Sequence, residues 1–192
     1  VRDSLFYGNK EKAKLACGFN NSNKTILVIG GSLGAKAINE CVFKIAPELT
    51  KNFNVIHVVG KGNLNKNLKL KNYYQIEFLS SIENYFALSD LVVSRAGSNA
   101  INEFLVLNKP MLLIPLPKGN SRGDQILNAQ NFKEHGFAEV LLQENLNEQS
   151  LLKSINLLNQ NANLIKQKQA KFKGKNGTEN VLKVILDNVK KQ

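Results

Sequence analysis

The chain predicts an α/β fold built on a parallel sheet, and three observations carry that prediction. Apolar, β-leaning runs alternate six times with helical patterns. The connections between them are short. The first unit, Thr25 to Glu40, reads TILVIGGSLGAKAINE: a buried strand, a glycine elbow and a helix. Alternation of this kind places helices on both faces of a parallel sheet.

Taken in order, residues 1–24 form an entry segment. A short helix over Asn9 to Cys17, with Ala13, Leu15 and Ala16 facing inward, ends at Gly18, and Asn20 to Lys24 make a polar turn. Ile26 to Gly30 is the first strand. After the elbow, a helix begins at Ala35 with Ile38, Val42 and Ile45 three or four residues apart. Asn54 to Val59 is a second strand, closed by Gly60-Lys61-Gly62. Lysine- and asparagine-rich chain to Asn72 reads as a loop of low order with one short helix. Tyr74 to Leu79 is a third strand, and Ser80 or Ser81 caps a helix striped by Ile82, Tyr85, Phe86 and Leu88.

Leu91 to Ser94 is the fourth strand and Gly97 to Leu107 the next helix, broken by Lys109-Pro110. Met111 to Leu116 is the fifth strand, whose pairing ends at Pro115 and Pro117. A loop, Lys118 to Gly123, precedes a helix from Asp124 to His135, which Gly136 stops. Ala138 to Leu142 is the sixth strand. Two helical stretches follow, 147–172 with a break near Asn161, then Thr178 to Val189. The expected organisation is an entry linker and helix (1–24), one ligand-binding domain (25–172) and a basic terminal helix (173–192).

The bulk numbers bound the partners. With 192 residues the chain buries one good core. It opens at Val1 and its single methionine is Met111, so it is expected to be processed or one piece of a longer protein. No apolar run approaches ~18 residues, so no membrane-spanning helix is expected, and no signal peptide is read. Cys17 and Cys41 lack metal-ligand spacing and suggest a reducing compartment. The formal charge is +11, and residues 161–192 contribute eight lysines against Glu179 and Asp187. That concentration fits a solvated helix face or a basic terminus beside an anionic membrane better than a nucleic-acid face. No aromatic stacking platform or nucleic-acid motif is present, so no nucleic-acid partner is expected.

In open parallel sheets, ligands bind beyond the carboxyl ends of the strands. The residues expected there are Gly30 to Gly34, Gly60 to Gly62, Phe78 to Ile82, Arg95 to Glu103 and Lys118 to Asn128. At the first elbow the helix's opening N–H groups lack partners within it. They carry partial positive charge, glycines let a phosphate approach, and Ser32 adds a hydroxyl. Neither the dinucleotide glycine spacing nor a Gly-Lys-Ser/Thr phosphate loop is present, and a turn packed with glycines for space alone is the competing reading. Arg95-Ala96-Gly97-Ser98 is a second elbow with a guanidinium beside it. Two such elbows suit a diphosphate. Glu103, two turns into the following helix, is placed to accept both hydroxyls of a ribose, or else serves as a cap partner or surface charge. Asp124, Gln125 and Asn128 offer amide and carboxylate groups to sugar hydroxyls, or form a solvated first turn.

Three segments, GGSLGA (30–35), EFLSSIENYFALSDLVVSRAGSNAINEFL (77–105) and KPMLLIPLPKGNSRGDQILNAQNF (109–132), resemble the C-terminal half of the MurG family. These are bacterial N-acetylglucosaminyltransferases of lipid-linked peptidoglycan precursor synthesis, with the two-domain GT-B fold. The resemblance covers nearly the whole chain and includes Val1-Arg2, similar to the end of an interdomain segment. It implies a Rossmann-like, six-stranded domain that binds UDP-N-acetylglucosamine. Phe78 and Leu79 match positions that cover and hydrogen-bond uracil, and Ile82 matches a neighbouring apolar contact. Glu103 matches the ribose acceptor. Gly31, Ser32 and Gly34, with Gly97, Ser98, Asn99 and Ala100, match the diphosphate contacts beside Arg95. Asp124, Gln125 and Asn128 match the sugar-reading cluster, and Arg2 an arginine near the nucleotide. Thr often stands in the family where this chain has Ala100, and Gln where it has Asp124.

The resemblance implies an inverting transfer: the 4-hydroxyl of a lipid-linked muramoyl sugar attacks the anomeric carbon and UDP leaves. The general base, the acceptor and the membrane-docking surface belong to the other half, so this chain alone is expected to bind donor and turn nothing over. No Asp-x-Asp pair occurs in the chain, and no cofactor or metal is expected. His57 and His135 read as structural. The expected setting is peripheral, on the cytoplasmic face of a bacterial membrane. Open alternatives are a donor-binding subunit of a two-chain enzyme and a UDP-sugar transferase acting on diacylglycerol or a natural product.

Overall fold

The computed structural model describes residues 2–30, 35–118 and 123–172. Six parallel strands form one sheet: β1 (Thr25–Ile29), β2 (Asn54–Val58), β3 (Tyr73–Ile76), β4 (Leu91–Ser94), β5 (Met111–Leu113) and β6 (Ala138–Val140), in spatial order β3-β2-β1-β4-β5-β6. This is the doubly wound, Rossmann-like order, with its reversal between β1 and β4.

Side chains alternate along each strand, so a strand buried on both faces feeds two cores. Ile26 and Val28 of β1 join α2 (Lys36–Leu49) and α6 (Glu148–Ala170) on one face, with Ile38, Val42, Ile45, Leu151, Ile155 and Leu158. Leu27 points the other way. It meets α3 (Ile82–Leu88), α4 (Ser98–Val106) and α5 (Asp124–Glu134) through Phe86, Phe104, Ile101, Ala129 and Phe132.

The entry segment belongs to this second core. Leu5, in a short 3-10 turn over Asp3–Tyr7, and Ala13, in α1 (Lys10–Cys17), are buried, as is Phe19. Gly8 lets the segment lie on α3, because a Cβ there would collide with the Glu83 carbonyl. Asn9 caps α1 by accepting from Lys12 N, and its own backbone N–H donates to Asn84 Oδ1.

Four sequence expectations are corrected. Leu15 and Ala16 face outward, Leu15 being 85% exposed, because the helix turns its Ala13 and Cys17 side to the body. The lysine- and asparagine-rich loop contains no helix. Instead it is folded around Gln75, whose Oε1 accepts from Asn65 N while Nε2 donates to the carbonyls of Asn65 and Leu68. The last described helix is unbroken at Asn161, whose amide donates to Glu139 Oε1 while Leu158, Ala162 and Ile165 continue the buried stripe. Several strands are shorter than read: β3 ends at Ile76 and β5 at Leu113, with Ile114 N still donating to Ser94 O before Pro115 ends the ladder. The terminal helix expected over Thr178 to Val189 lies outside the described residues.

A buried polar chain ties α2 to the β2–β3 margin. Asn39 Nδ2 donates to Val59 O (2.8 Å), so its Oδ1 faces His57 Nε2 (3.0 Å), which must donate. His57 Nδ1 is left to accept from the Tyr73 hydroxyl (2.7 Å). Burial pushes the His57 pKa down to about 3, so the ring is neutral and structural. His135 donates through Nδ1 to the Asn131 carbonyl and stacks on Phe137, also a structural role.

His57 makes stability depend on pH in a defined window. Its folded pKa is depressed below the ordinary 6.5, so the unfolded chain binds the extra proton and stability falls as pH drops from 6.5 toward 3. Denaturant titrations between pH 6.5 and 5 should show a loss approaching about 1.4 kcal/mol per pH unit. His57→Leu should be less stable throughout yet nearly flat across that window; an unchanged slope would contradict the assignment.

Candidate functional site

The strand reversal opens a crevice between β1 and β4. Ile29 pairs with Ser94 in register, and Ser94 Oγ donates to the Ile29 carbonyl (2.8 Å), closing the floor. Beyond this floor the two crossovers leave toward opposite faces, α2 on one side and α4 on the other. Gly30 turns the chain here, since a Cβ would strike Ala35.

Among the described residues, no side chain caps either flanking helix: Ala35 precedes α2 and Gly97 precedes α4. Away from the crevice, α1 is capped by Asn9 and α6 by a reciprocal Asn147–Ser150 box. Among the described residues α3 and α5 also start without a side-chain cap, so what sets α2 and α4 apart is that their positive ends converge on the crevice. A cavity of about 330 Å³ lies between them, lined by Gly30, Ala35, Lys36, Ser94, Arg95, Gly97, Ala100, Leu116 and Gln125.

Arg95 is the buried charge in that cavity, 9% exposed, whereas the Lys36 side chain is largely in solvent. Its Nη1 donates to the carbonyls of Ile114 (3.0 Å) and Pro115 (3.4 Å), which locks the end of β4 to the chain leaving β5. Among the described residues no carboxylate pairs with it, and its Nε and Nη2 meet no acceptor. Burial lowers its pKa without removing the charge. A buried cation with spare donors and two uncapped helix starts around it form an anion-binding arrangement.

A second, larger cavity of about 730 Å³ adjoins it through Ala100 and is lined by Arg2, Asn99, Asn102 and Glu103 as well. Glu103 is carried two turns into α4 with a side chain 17% exposed. Arg2 Nε and Nη2 both reach its Oε1 at 3.3 Å. Asn102 is oriented by donating to Ser98 O (2.8 Å).

Of the residues singled out in the sequence, Arg95, Gly97, Ala100 and Gln125 share the first cavity, and Arg2, Asn99, Ala100 and Glu103 the second. Ser98 is the first residue of α4. Gln125 accepts from Leu116 N through Oε1, its NH₂ meeting no partner among the described residues, and Asn128 donates to Ala96 O. Asp124 is exposed in the first turn of α5 and lines neither cavity. Nor do Phe78, Leu79 and Ile82, which follow β3: Phe78 is 69% exposed, Leu79 buried and Ile82 half-buried. Gly31, Ser32 and Gly34 lie outside the described residues. Lys36, at the first position of α2, lines the first cavity and lies outside the segments singled out in the sequence. A lysine opening a helix opposes the helix dipole, and that anomaly was the available signal.

The cysteines take no part. Burial raises the Cys17 thiol to about 12 and also raises Cys41, so both stay protonated.

The doubly wound, six-stranded sheet is the Rossmann-like fold of GT-B glycosyltransferases, and solved structures match that fold. The domain superposes on the crystal structure of Acinetobacter baumannii MurG with a TM-score of 0.70 at 22% identity, covering 97% of this chain and 55% of that one. A UDP-GlcNAc 2-epimerase from Neisseria meningitidis bound to UDP-GlcNAc matches at TM-score 0.60 and 18% identity, over 95% of this chain and 48% of that one. The chain belongs to glycosyltransferase family 28: the model of that family's C-terminal domain matches residues 25–184. It is 46% identical over 189 residues to the UDP-N-acetylglucosamine–N-acetylmuramyl-(pentapeptide) pyrophosphoryl-undecaprenol N-acetylglucosamine transferase 2 of Bacillus cereus (strain ATCC 10987), covering 97% of this chain and 54% of the relative. A transferase of the same name, without the number, from Clostridium perfringens (strain SM101) is 45% identical over 187 residues, covering 96% of this chain and 52% of the relative. The chain thus spans about half the length of these relatives.

The anion reading has a direct check in the melting transition. Inorganic pyrophosphate should raise the stability of the chain, by about 2.7 kcal/mol at 100 times its Kd. Arg95→Met should abolish that increment. An equal increment in the variant would remove Arg95 from the site.

Proposed function

We propose that this chain is the donor-binding half of an inverting glycosyltransferase that moves N-acetylglucosamine from UDP onto a lipid-linked muramoyl-pentapeptide. The observation that carries the reading is that two neighbouring cavities share Ala100 in their lining, with Arg95 and the start of α4 in one and Glu103 in the other. A diphosphate fits the first and a ribose the second. The names of the relatives supply the sugar and the acceptor.

In this reading the C1–O bond to the β-phosphate breaks as an acceptor hydroxyl attacks from the opposite side, and the departing UDP gains negative charge. The N–H groups opening α2 and α4 and the guanidinium of Arg95 are fixed before reaction. They therefore favour the charged transition state more than the ground state. The chain has no Asp-x-Asp pair, so charge neutralisation is assigned to these groups and no metal is invoked. Glu103 accepts the ribose hydroxyls. Gln125 and Asn128 flank the path of the sugar, Asp124 stands at its rim, and Phe78, Leu79 and Ile82 form the nucleobase side. The residues that remove the acceptor proton and touch the lipid are assigned to the remaining half of the enzyme. An anionic membrane surface on the cytoplasmic side is the proposed setting. No helix among the described residues is long and apolar enough to cross a membrane.

Titration calorimetry with UDP, UDP-N-acetylglucosamine and UDP-glucose tests the reading. All three should bind, and Glu103→Ala should weaken each by about 1–3 kcal/mol, because the ribose they share loses its acceptor. Unaltered binding in the variant would refute the ribose assignment, and turnover of a lipid acceptor by these 192 residues alone would refute the division of labour.

A further inference from the structure

Arg2 and Glu103 stand 101 residues apart in the chain, yet both guanidinium contacts fall on one carboxylate oxygen. Oε1 receives Nε and Nη2 at 3.3 Å, while Oε2 meets no partner among the described residues. The pair lines the larger cavity, which shares Ala100 with the anion crevice. Two vicinal hydroxyls are best accepted by two carboxylate oxygens, and here one of them is already engaged.

We infer that Arg2 is a latch on Glu103. It holds the carboxylate while no nucleoside is bound, and it yields Oε1 when the ribose docks. The inference rests on the ribose role proposed for Glu103. The exchange is electrostatically closed. The carboxylate trades one cation for two neutral donors, and the freed guanidinium lies beside the crevice that takes the diphosphate, a new anionic partner. Arg2 is well suited to move, since its side chain is 62% exposed and the contacts are long. Its carbonyl accepts from Leu5 N at the start of the 3-10 turn packed on α3, so release of the side chain is felt by the entry segment. Nucleotide occupancy is thereby coupled to the position of residues 2–8. Exposed pairs of this kind are weak, so the latch biases binding without blocking it.

Calorimetric titration of uridine and of UDP into the chain and its Arg2→Gln variant separates the possibilities. Uridine carries the diol and no phosphate, so it meets only the competition. It should bind Arg2→Gln about two- to fivefold more tightly than the unaltered chain. Added salt, which screens the exposed pair, should strengthen uridine binding to the unaltered chain and leave the variant's unchanged. UDP, which offers Arg2 a new partner, should gain less from the substitution or lose affinity. Equal or weaker uridine binding by the variant would overturn the latch. If the unaltered chain binds neither compound, or if Glu103→Ala binds uridine as well as the unaltered chain does, the ribose reading itself fails, and the latch with it.

Discussion

The pairing of β1 with β4 is the constraint on which the rest depends. With Ile29 set against Ser94, and the Ser94 hydroxyl closing on the Ile29 carbonyl, two adjacent parallel strands end at one level. Their crossovers must leave in opposite directions, because each helix has to cover a different apolar face of the sheet. The positive ends of α2 and α4 therefore flank one gap, and the apolar residues that bury Ile26 and Leu27 on opposite faces are what aim them. The electrostatics of the site are a by-product of core packing.

What the fold aims, the side chains leave unsatisfied. A helix start without a cap forgoes about 1 kcal/mol of available stability, and a buried guanidinium without a carboxylate carries an uncompensated desolvation cost. Arg95 recovers part of it by bonding two main-chain carbonyls, which also makes it a brace between β4 and β5. The relay from Tyr73 through His57 and Asn39 to Val59, by contrast, pairs each of its buried side-chain groups. The contrast between a closed relay under the sheet's flank and open donors at its switch point marks the latter as built for an incoming anion.

Much of this was legible in the residues. The six strands were each located because apolar runs bounded by glycine, proline or serine leave little else for a doubly covered sheet to use, and Leu91–Ser94 was placed to the residue. Arg95, at a strand-to-helix junction, and Glu103, inside the following helix, stand out in the sequence and line neighbouring cavities, while Gly31 to Gly34 lie outside the described residues. Strand ends were less so, since β3 and β5 stop where neighbours stop and that depends on register. Leu15 was read as core because periodicity alone does not say which side of a short helix meets the body; the contact of Gly8 with α3 decides it. Gln75 as the organiser of a loop ten residues upstream, and Arg2 bonded to Glu103, are long-range pairings with no local signature. Lys36 was visible and passed over.

The central claim is that the switch-point crevice receives the diphosphate of an activated sugar. A crystal structure of the chain with UDP-N-acetylglucosamine tests it most directly. The account predicts phosphate oxygens between the openings of α2 and α4, within hydrogen-bonding distance of Arg95, and the ribose on Glu103. A nucleotide bound with its phosphates away from Arg95, or at another edge of the sheet, would contradict it.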